Sequence, residues 1–470
     1  MKNLRPNLQN TLVIIAFSFL PCLFSVHARA EGQEYMLDNG LKLIVKEDHR
    51  APVVVSQVWY KVGSSYEHDG ITGISHVLEH MMFKGTENHP AGEFSRIISA
   101  NGGRENAFTG TDYTAYFQTL EKSRLAISFE LEADRMRNIS LPAVEFDKEI
   151  EVVKEERRMR TEDNPKSYMH EVAMATAFQT SPYRNPVIGW MNDLDTMTID
   201  SLRDWYQLWY APNNATVVVV GDVEPEEVYQ LADKYFGQLP VGGKAQAAHK
   251  PEIEQSGLKR VKVKRPAELP YLLMIYKTPA LRNEVSDDNN VSAWEPYALE
   301  VLAGILDGGN SARIASRLVR GKEVAAGAGA GYSLVSRMDK AFTLSGTPAQ
   351  GHTIAELEQA LREEVTDLQT NLVNESELER VKAQVVSNDV YERDSVFYQA
   401  MVVGMLETVG LSWRMADEYV ERIRGIAPEQ IRMVARKYLI DDRLTVTELD
   451  PLPLDNLMQR PATGGQSHGH

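Results

Sequence analysis

His76-Val77-Leu78-Glu79-His80 sets two imidazoles four residues apart with a carboxylate beside the second. On a helix, residues four apart share one face a turn from each other, so both rings can reach a single ion while Glu79 stands next to them. Catalytic zinc keeps three protein ligands and a position for water, and it needs a nearby carboxylate to take a proton as water adds to a carbonyl. H-x-x-E-H is the inverted form of the H-E-x-x-H metalloprotease helix, which puts Glu79 in the place of that base. Five residues alone also fit a polar surface helix. Here Val77, Leu78, Met81, Met82 and Phe83 make the segment largely apolar. Polar groups within such a helix need partners, and a shared cation supplies one.

A third ligand must come from elsewhere. Residues 143–161 contain no Gly or Pro, follow Pro142 and place Phe146, Ile150, Val153 and Met159 among charges, which predicts a helix. Glu149 and Glu156 lie seven apart, two turns along one stripe. Glu151 and Glu155 are available as well, and acids on such a helix ordinarily pair with Lys or Arg three or four residues away. Spacing does not choose among the four.

The elements that must position these residues read as mixed. Strands are expected at 35–45, with a turn at Asp38-Asn39-Gly40, at 52–61, 111–120 and 216–220, and helices at 73–83, 91–100, 122–137, 142–161 and 201–210. That order indicates α/β or α+β packing, with helices on one face of a sheet. A Pro, Gly and Ala-rich stretch at 239–251 is the best linker candidate. Beyond it the order repeats coarsely: strands at 261–264 and 272–277, helices at 294–306 and 311–319, a small-residue strand at 325–335, helices at 354–371, 375–395 and 428–438, and a strand at 444–447. This half has no second H-x-x-E-H.

A chain of 470 residues exceeds one ordinary core, which favours two or more domains. Residues 1–30 read as a secretory signal peptide, with basic Lys2 and Arg5, an apolar stretch at 12–24 and Ala28-Arg29-Ala30 at the cleavage position. The single cysteine, Cys22, lies within that leader, so the remainder can form no disulfide and thiol catalysis is excluded. The formal net charge is −16, and loss of the leader leaves 47 basic against 66 acidic residues, or −19. Such acidity disfavours a nucleic-acid partner.

The run Gly73-Ile74-Ser75-His76-Val77-Leu78-Glu79-His80-Met81-Met82-Phe83-Lys84-Gly85-Thr86 resembles the pitrilysin-type (inverzincin) zinc metallopeptidases. The resemblance extends to residues 37–45, to Gly63-Ser64-Ser65-Tyr66-Glu67, to Asn101-Gly102-Gly103-Arg104-Glu105-Asn106-Ala107, Thr109 and Thr114, to the Glu149/Glu156 pair and to residues 210–222. It is strongest for the shorter branch that contains the mitochondrial processing peptidase and its bacterial relatives. Ser181-Pro182-Tyr183 departs from the His-Pro-Tyr common there, at a position not proposed as a ligand.

The resemblance implies an α+β fold of two homologous lobes, each a mostly antiparallel sheet packed with helices, enclosing a two-lobed chamber. It assigns 31–245 to a zinc-binding peptidase lobe and 246–455 to a homologous lobe without the motif, followed by a flexible tail at 456–470. It implies His76, His80 and Glu156 as ligands of one Zn2+ per chain, Glu79 as base and Glu149 as a carboxylate orienting a ligand or the water. Asn106 and Ala107 then form a sheet edge onto which substrate adds as a strand. The implied activity is that of an exported, most readily periplasmic, zinc metalloendopeptidase acting on peptides or unfolded segments. In this branch an Arg and a Tyr that grip substrate commonly follow a Ser-Arg-Leu segment. Ser316-Arg317-Leu318 is followed by neither in register, Arg320 and Tyr332 being nearest. The grip is therefore assigned to a partner, giving a heterodimer with a homologous subunit lacking H-x-x-E-H; a homodimer is the other arrangement. The rival reading is a non-catalytic assembly or chaperone-like subunit, which has no need of Glu79 as a base.

Overall fold

The computed structural model describes residues 32–243, 250–282 and 291–454. The leader at 1–30, the tail at 456–470 and the lobe boundary at 245/246 lie outside the described residues. The first half runs β1 (Gln33–Met36), β2 (Lys42–Glu47), β3 (Val53–Tyr60), α1 (Ile74–Met81), α2 (Glu93–Ala100), β4 (Arg104–Thr109), β5 (Thr114–Glu121), α3 (Leu125–Arg137), α4 (Ala143–Arg157), α5 (Pro165–Ala177), α6 (Met191–Thr196), α7 (Ile199–Trp209), β6 (Ala215–Gly221) and α8 (Pro225–Phe236). The second runs β7 (Lys259–Pro266), β8 (Tyr271–Thr278), α9 (Glu295–Asp307), β9 (Ala325–Tyr332), β10 (Lys340–Pro348), α10 (Ile354–Thr370), α11 (Glu375–Glu392), α12 (Val396–Thr408), α13 (Met415–Arg424), α14 (Pro428–Tyr438) and β11 (Leu444–Leu452).

Two sheets result, one in each of two lobes. The first has the order β1-β2-β6-β3-β5-β4 and the second β7-β11-β8-β10-β9. Only the β2/β6 and β7/β11 pairs are parallel, so both sheets are mostly antiparallel and five strands correspond one to one. Among the described residues no helix is long and apolar enough to cross a membrane.

The central strands explain how the lobes are joined. All seven residues of β6 are buried, so both its faces are covered. Val217 and Val219 face the core shared with α1, α3 and α7, whereas Val218 and Val220 pack with Val55 and Trp59 against Ala400 and Val403 of α12. A helix of the second half therefore covers the outer face of the first sheet. The reverse also holds: Met169, Ala173 and Ala177 of α5 pack on Leu273, Ile275 and Leu449 of the second sheet. Each lobe lends one helix to the other.

Several elements differ from the sequence-based expectation. The strand expected at 111–120 starts at Thr114, because Gly110 through Tyr113 turn the chain, with Gly110 N–H donating to Tyr113 O at 2.8 Å. The chain before that turn is a separate strand, β4. The helix expected at 311–319 is a π-helical turn at Ile314–Val319. Sequence reading missed α5, α6, α8, α12, α13 and β10. For α12 the reason is physical: it is apolar on every side because sheet and helices enclose it, so it shows no amphipathic period. For α5 the signal was present, since Asn164 accepts from the N–H groups of Lys166 and Ser167 and Pro165 opens the helix.

The α12 contact is close. A Cβ at Gly404 would lie 2.1 Å from Cε2 of Trp59. Gly404→Val is expected to lower stability by about 1–3 kcal/mol through overpacking, read as a lower denaturation midpoint than wild type; an unchanged midpoint would show that the lobes separate freely there.

Candidate metal centre

Helix α1 lacks a side-chain cap of its own. Its N-cap, Gly73, has φ +87°, and a Cβ there would lie 2.6 Å from Ile188 O. Glu67 completes the cap from outside the helix: its carboxylate accepts from Gly73 N–H at 2.7 Å and Ser75 N–H at 2.9 Å. An anion at this end also complements the helix dipole. Buried Val77, Leu78 and Met81 then fix the rotation of the helix.

Helix α4 buries Phe146, Ile150 and Val153 and turns Glu149 and Glu156 toward α1. Its last residue, Arg157, is buried and forms a two-pronged pair with Glu171 of α5, at 2.7 and 2.9 Å. That pair fixes the end of the helix beside Glu156.

These supports bring His76, His80 and Glu156 together, with one donor atom from each within 4.8 Å of the others. His80 Nε2 stands 3.4 Å from Glu156 Oε2, and His76 Nε2 stands 3.9 Å from Glu156 Oε1. Donors about 2.1 Å from one tetrahedral ion lie about 3.4 Å apart, so two imidazoles and a carboxylate at these separations fit zinc. Glu149 Oε1 lies 3.0 Å from His80 Nδ1 and its Oε2 lies 2.6 Å from Lys84 Nζ. A proton on Nδ1 directed to Glu149 leaves Nε2 as the free donor. His76 Nδ1 is buried with no partner among the described residues. Arg160, on the π-helical turn after α4, also pairs with Glu156 at the four-residue spacing ordinary for such a helix.

The two imidazoles titrate in opposite directions. Burial opposes charge on His80, yet Glu149 and Glu156 outweigh it and push its pKa up to about 9. Burial and the neighbouring His80 hold His76 well below its usual range. Burial raises Glu79, against the pull of a hydrogen bond from Thr109 Oγ1 to its Oε2 at 2.5 Å.

Thr109 is the last residue of β4, the edge strand against which α1 packs. Asn106 and Ala107 lie on that strand, paired with Phe117 and Tyr116 of β5, and Asn106 Oδ1 accepts from Ala107 N–H at 2.8 Å. They stand on the sheet edge and not among the metal-ligating atoms. Arg320 and Tyr332 are held within the second half: Arg320 donates to Asn310 O, and Tyr332 to Pro279 O at 2.6 Å. Several cations cross between halves, Lys42 to Glu407 and Arg414 to Glu34 among them, and one of these, Arg337, was missed in the sequence. Its Nη2 donates to Ser65 O and Oγ, both at 2.9 Å, and its guanidinium lies 4.2 Å from the Tyr66 ring. A second grouping of Glu47, His49 and Glu224 lies at the surface, where His49 Nδ1 is engaged by Asp222 at 2.6 Å.

Residues 42–190 match the insulinase family (peptidase family M16), and residues 196–385 match the peptidase M16 inactive domain. The chain is 31% identical over 441 residues to the zinc protease PqqE of Helicobacter pylori, covering 91% of this chain and 95% of that protein. The crystal structure of a protease from Helicobacter pylori superposes with a TM-score of 0.84 at 28% identity, covering 90% of this chain and all of that one. The first half of the periplasmic protease PqqL from Escherichia coli shares the fold, with a TM-score of 0.73 at 20% identity over 89% of this chain and 91% of that one.

Loss of the Glu149 contact is expected to weaken zinc binding while the ligands remain. In a chelator competition, Glu149→Ala should hold zinc about 10–100-fold less tightly than wild type, with an unaltered circular dichroism spectrum; equal affinity would remove Glu149 from the centre.

Proposed function

The chain belongs to the insulinase (M16) peptidase family, and from that premise we propose that it is a zinc metalloendopeptidase acting on peptides or unfolded protein segments. The single observation that supports this most is the meeting of His76, His80 and Glu156 beside a half-buried carboxylate, Glu79. These three side chains hold one Zn2+ per chain, and His80 is oriented by Glu149 through its Nδ1. Zinc bound there supplies Lewis acidity toward a peptide carbonyl and toward water.

Glu79 carries the proton. Held by Thr109 and raised by burial, its carboxylate takes a proton from the attacking water and delivers it to the departing amide nitrogen. Substrate lies along β4 as an added strand, with Asn106 and Ala107 offering backbone groups at the open edge of the sheet. Such pairing reads backbone rather than side chains, which suits broad sequence tolerance. The hydrogen bond between Thr109 and Glu79 ties this edge to the base.

The working boundaries are a zinc-binding lobe at 31–245 and a homologous lobe at 246–455 enclosing a chamber, with a leader at 1–30 and a tail at 456–470. The leader places the protein outside the cytoplasm, most readily in the periplasm, a reading in keeping with the periplasmic description of PqqL. Because Arg320 and Tyr332 are engaged within their own half, a homologous partner lacking H-x-x-E-H supplies the substrate grip, giving a heterodimer.

Two measurements test this reading. Glu79→Gln should retain one zinc per chain and lose about 10²–10⁴-fold in kcat; unchanged turnover would remove Glu79 as base, and a zinc-free wild type would favour a non-catalytic subunit. A mixed peptide library digested by the purified chain and read by mass spectrometry should show new termini that disappear with chelator. Full-rate cleavage by a monomer, sized by light scattering, would refute the need for a partner.

A further inference from the structure

The second lobe carries a half-open cavity of about 460 Å³ among α9, α11, α12, α13 and the end of β9. Its most unusual wall is Glu300 of α9. Oε1 accepts from Tyr419 O–H at 2.6 Å, while Oε2 is buried and has no hydrogen-bond partner among the described residues. The rings of Tyr297, Tyr332, Tyr398 and Tyr419 surround the space, and aliphatic side chains of α11 and α12, including Val385 and Val402, complete it. Three carboxylates line the cavity, those of Glu300, Asp389 and Glu392, against one cation, Arg393. Arg393 is committed to Asp389, its Nε lying 2.8 Å from Oδ2. Glu300 has no cation of its own on this wall.

The cavity stands in the second lobe where the metal centre stands in the first. Glu300 is the sixth residue of α9, as Glu79 is the sixth of α1. Tyr332 ends the edge strand β9, as Thr109 ends the edge strand β4. Helix α11 packs on α9 as α4 packs on α1. The places of His76 and His80 fall to Tyr297 and Val301, so the imidazoles are gone and the carboxylate persists.

We propose that this cavity binds a small organic cation, an amine whose ammonium group pairs with Glu300 and whose apolar body lies against the tyrosines and the aliphatic wall. The volume suits a ligand of that size, a handful of convergent polar groups within an apolar lining is the usual make-up of a ligand site, and aromatic rings attract a cation to their faces. Burial pushes Glu300 up to about 7, as befits a carboxylate still lacking its counter-ion. The site is independent of zinc and of the peptidase reading.

The test is calorimetric titration of the full chain with 2-phenylethylamine and, separately, with the uncharged 2-phenylethanol. The amine should bind saturably and about tenfold or more tightly than the alcohol. Glu300→Gln should erase the preference, and Val402→Trp, which places a large ring in the cavity from α12, should abolish amine binding. Equal affinity for the two compounds, no heat at millimolar amine, or amine binding undiminished in Val402→Trp would each overturn the proposal, and none of these depends on Glu300→Gln folding.

Discussion

Helices α1 and α4 hold one side-chain atom each of His76, His80 and Glu156 within 4.8 Å of the others, and the contacts that keep them there reach through the whole molecule. The N-terminus of α1 is fixed by a carboxylate from outside the helix, Glu67, and by the glycine contact at residue 73. The C-terminus of α4 is fixed by Arg157 on Glu171 of α5. Helix α5 in turn lies on the second sheet. The placement of Glu156 is thus traced, contact by contact, to a lobe that contains no H-x-x-E-H. The second sheet is the bed for α5, the helix to which the end of α4 beside Glu156 is tied.

The local part of this arrangement was legible from the residues. Four-residue spacing puts His76 and His80 on one face of α1, and of the apolar neighbours that suggested burial, Val77, Leu78, Met81 and Met82 are buried and Phe83 half-buried. The distant part was not. Glu149, Glu151, Glu155 and Glu156 are indistinguishable by spacing, and only the rotation of α4 set by Phe146, Ile150 and Val153 turns Glu149 and Glu156 inward while Glu151 and Glu155 face lysine and arginine partners outside. Arg160 stands four residues after Glu156, a spacing ordinary for acid–base pairs on a helix and so not distinctive. Arg337 gave no signal because its partners, Ser65 at a separation of 272 residues and the adjoining Tyr66, are far away in the chain. The broad plan of alternating strands and helices repeated after a Gly/Pro linker was readable, because buried strands such as β6 are continuous runs of β-branched residues. Helix α12 was unreadable for the related reason that a helix enclosed on all sides loses the polar stripe that marks it.

The edge strand β4 joins two features of the first lobe. It offers an unpaired sheet edge, and its last residue holds the carboxylate of Glu79. A strand displaced by even part of a residue would move Thr109 along α1 and release Glu79 Oε2. Geometry at Glu79 and geometry at the edge are therefore one quantity rather than two. The same strand position in the second sheet ends in Tyr332, whose hydroxyl is directed to Pro279 O, so the two lobes repeat a layout while differing in what they do with it.

The exchange of α5 and α12 between lobes bears on how the chain is made. The first sheet is complete once β6 has left the ribosome, yet its outer valines and Trp59 stay bare until α12 follows nearly 180 residues later. For that interval the nascent protein carries an apolar sheet face with nothing to cover it, a surface open to aggregation and to holdase chaperones. Maturation then ends in a mutual docking step that neither half can complete alone.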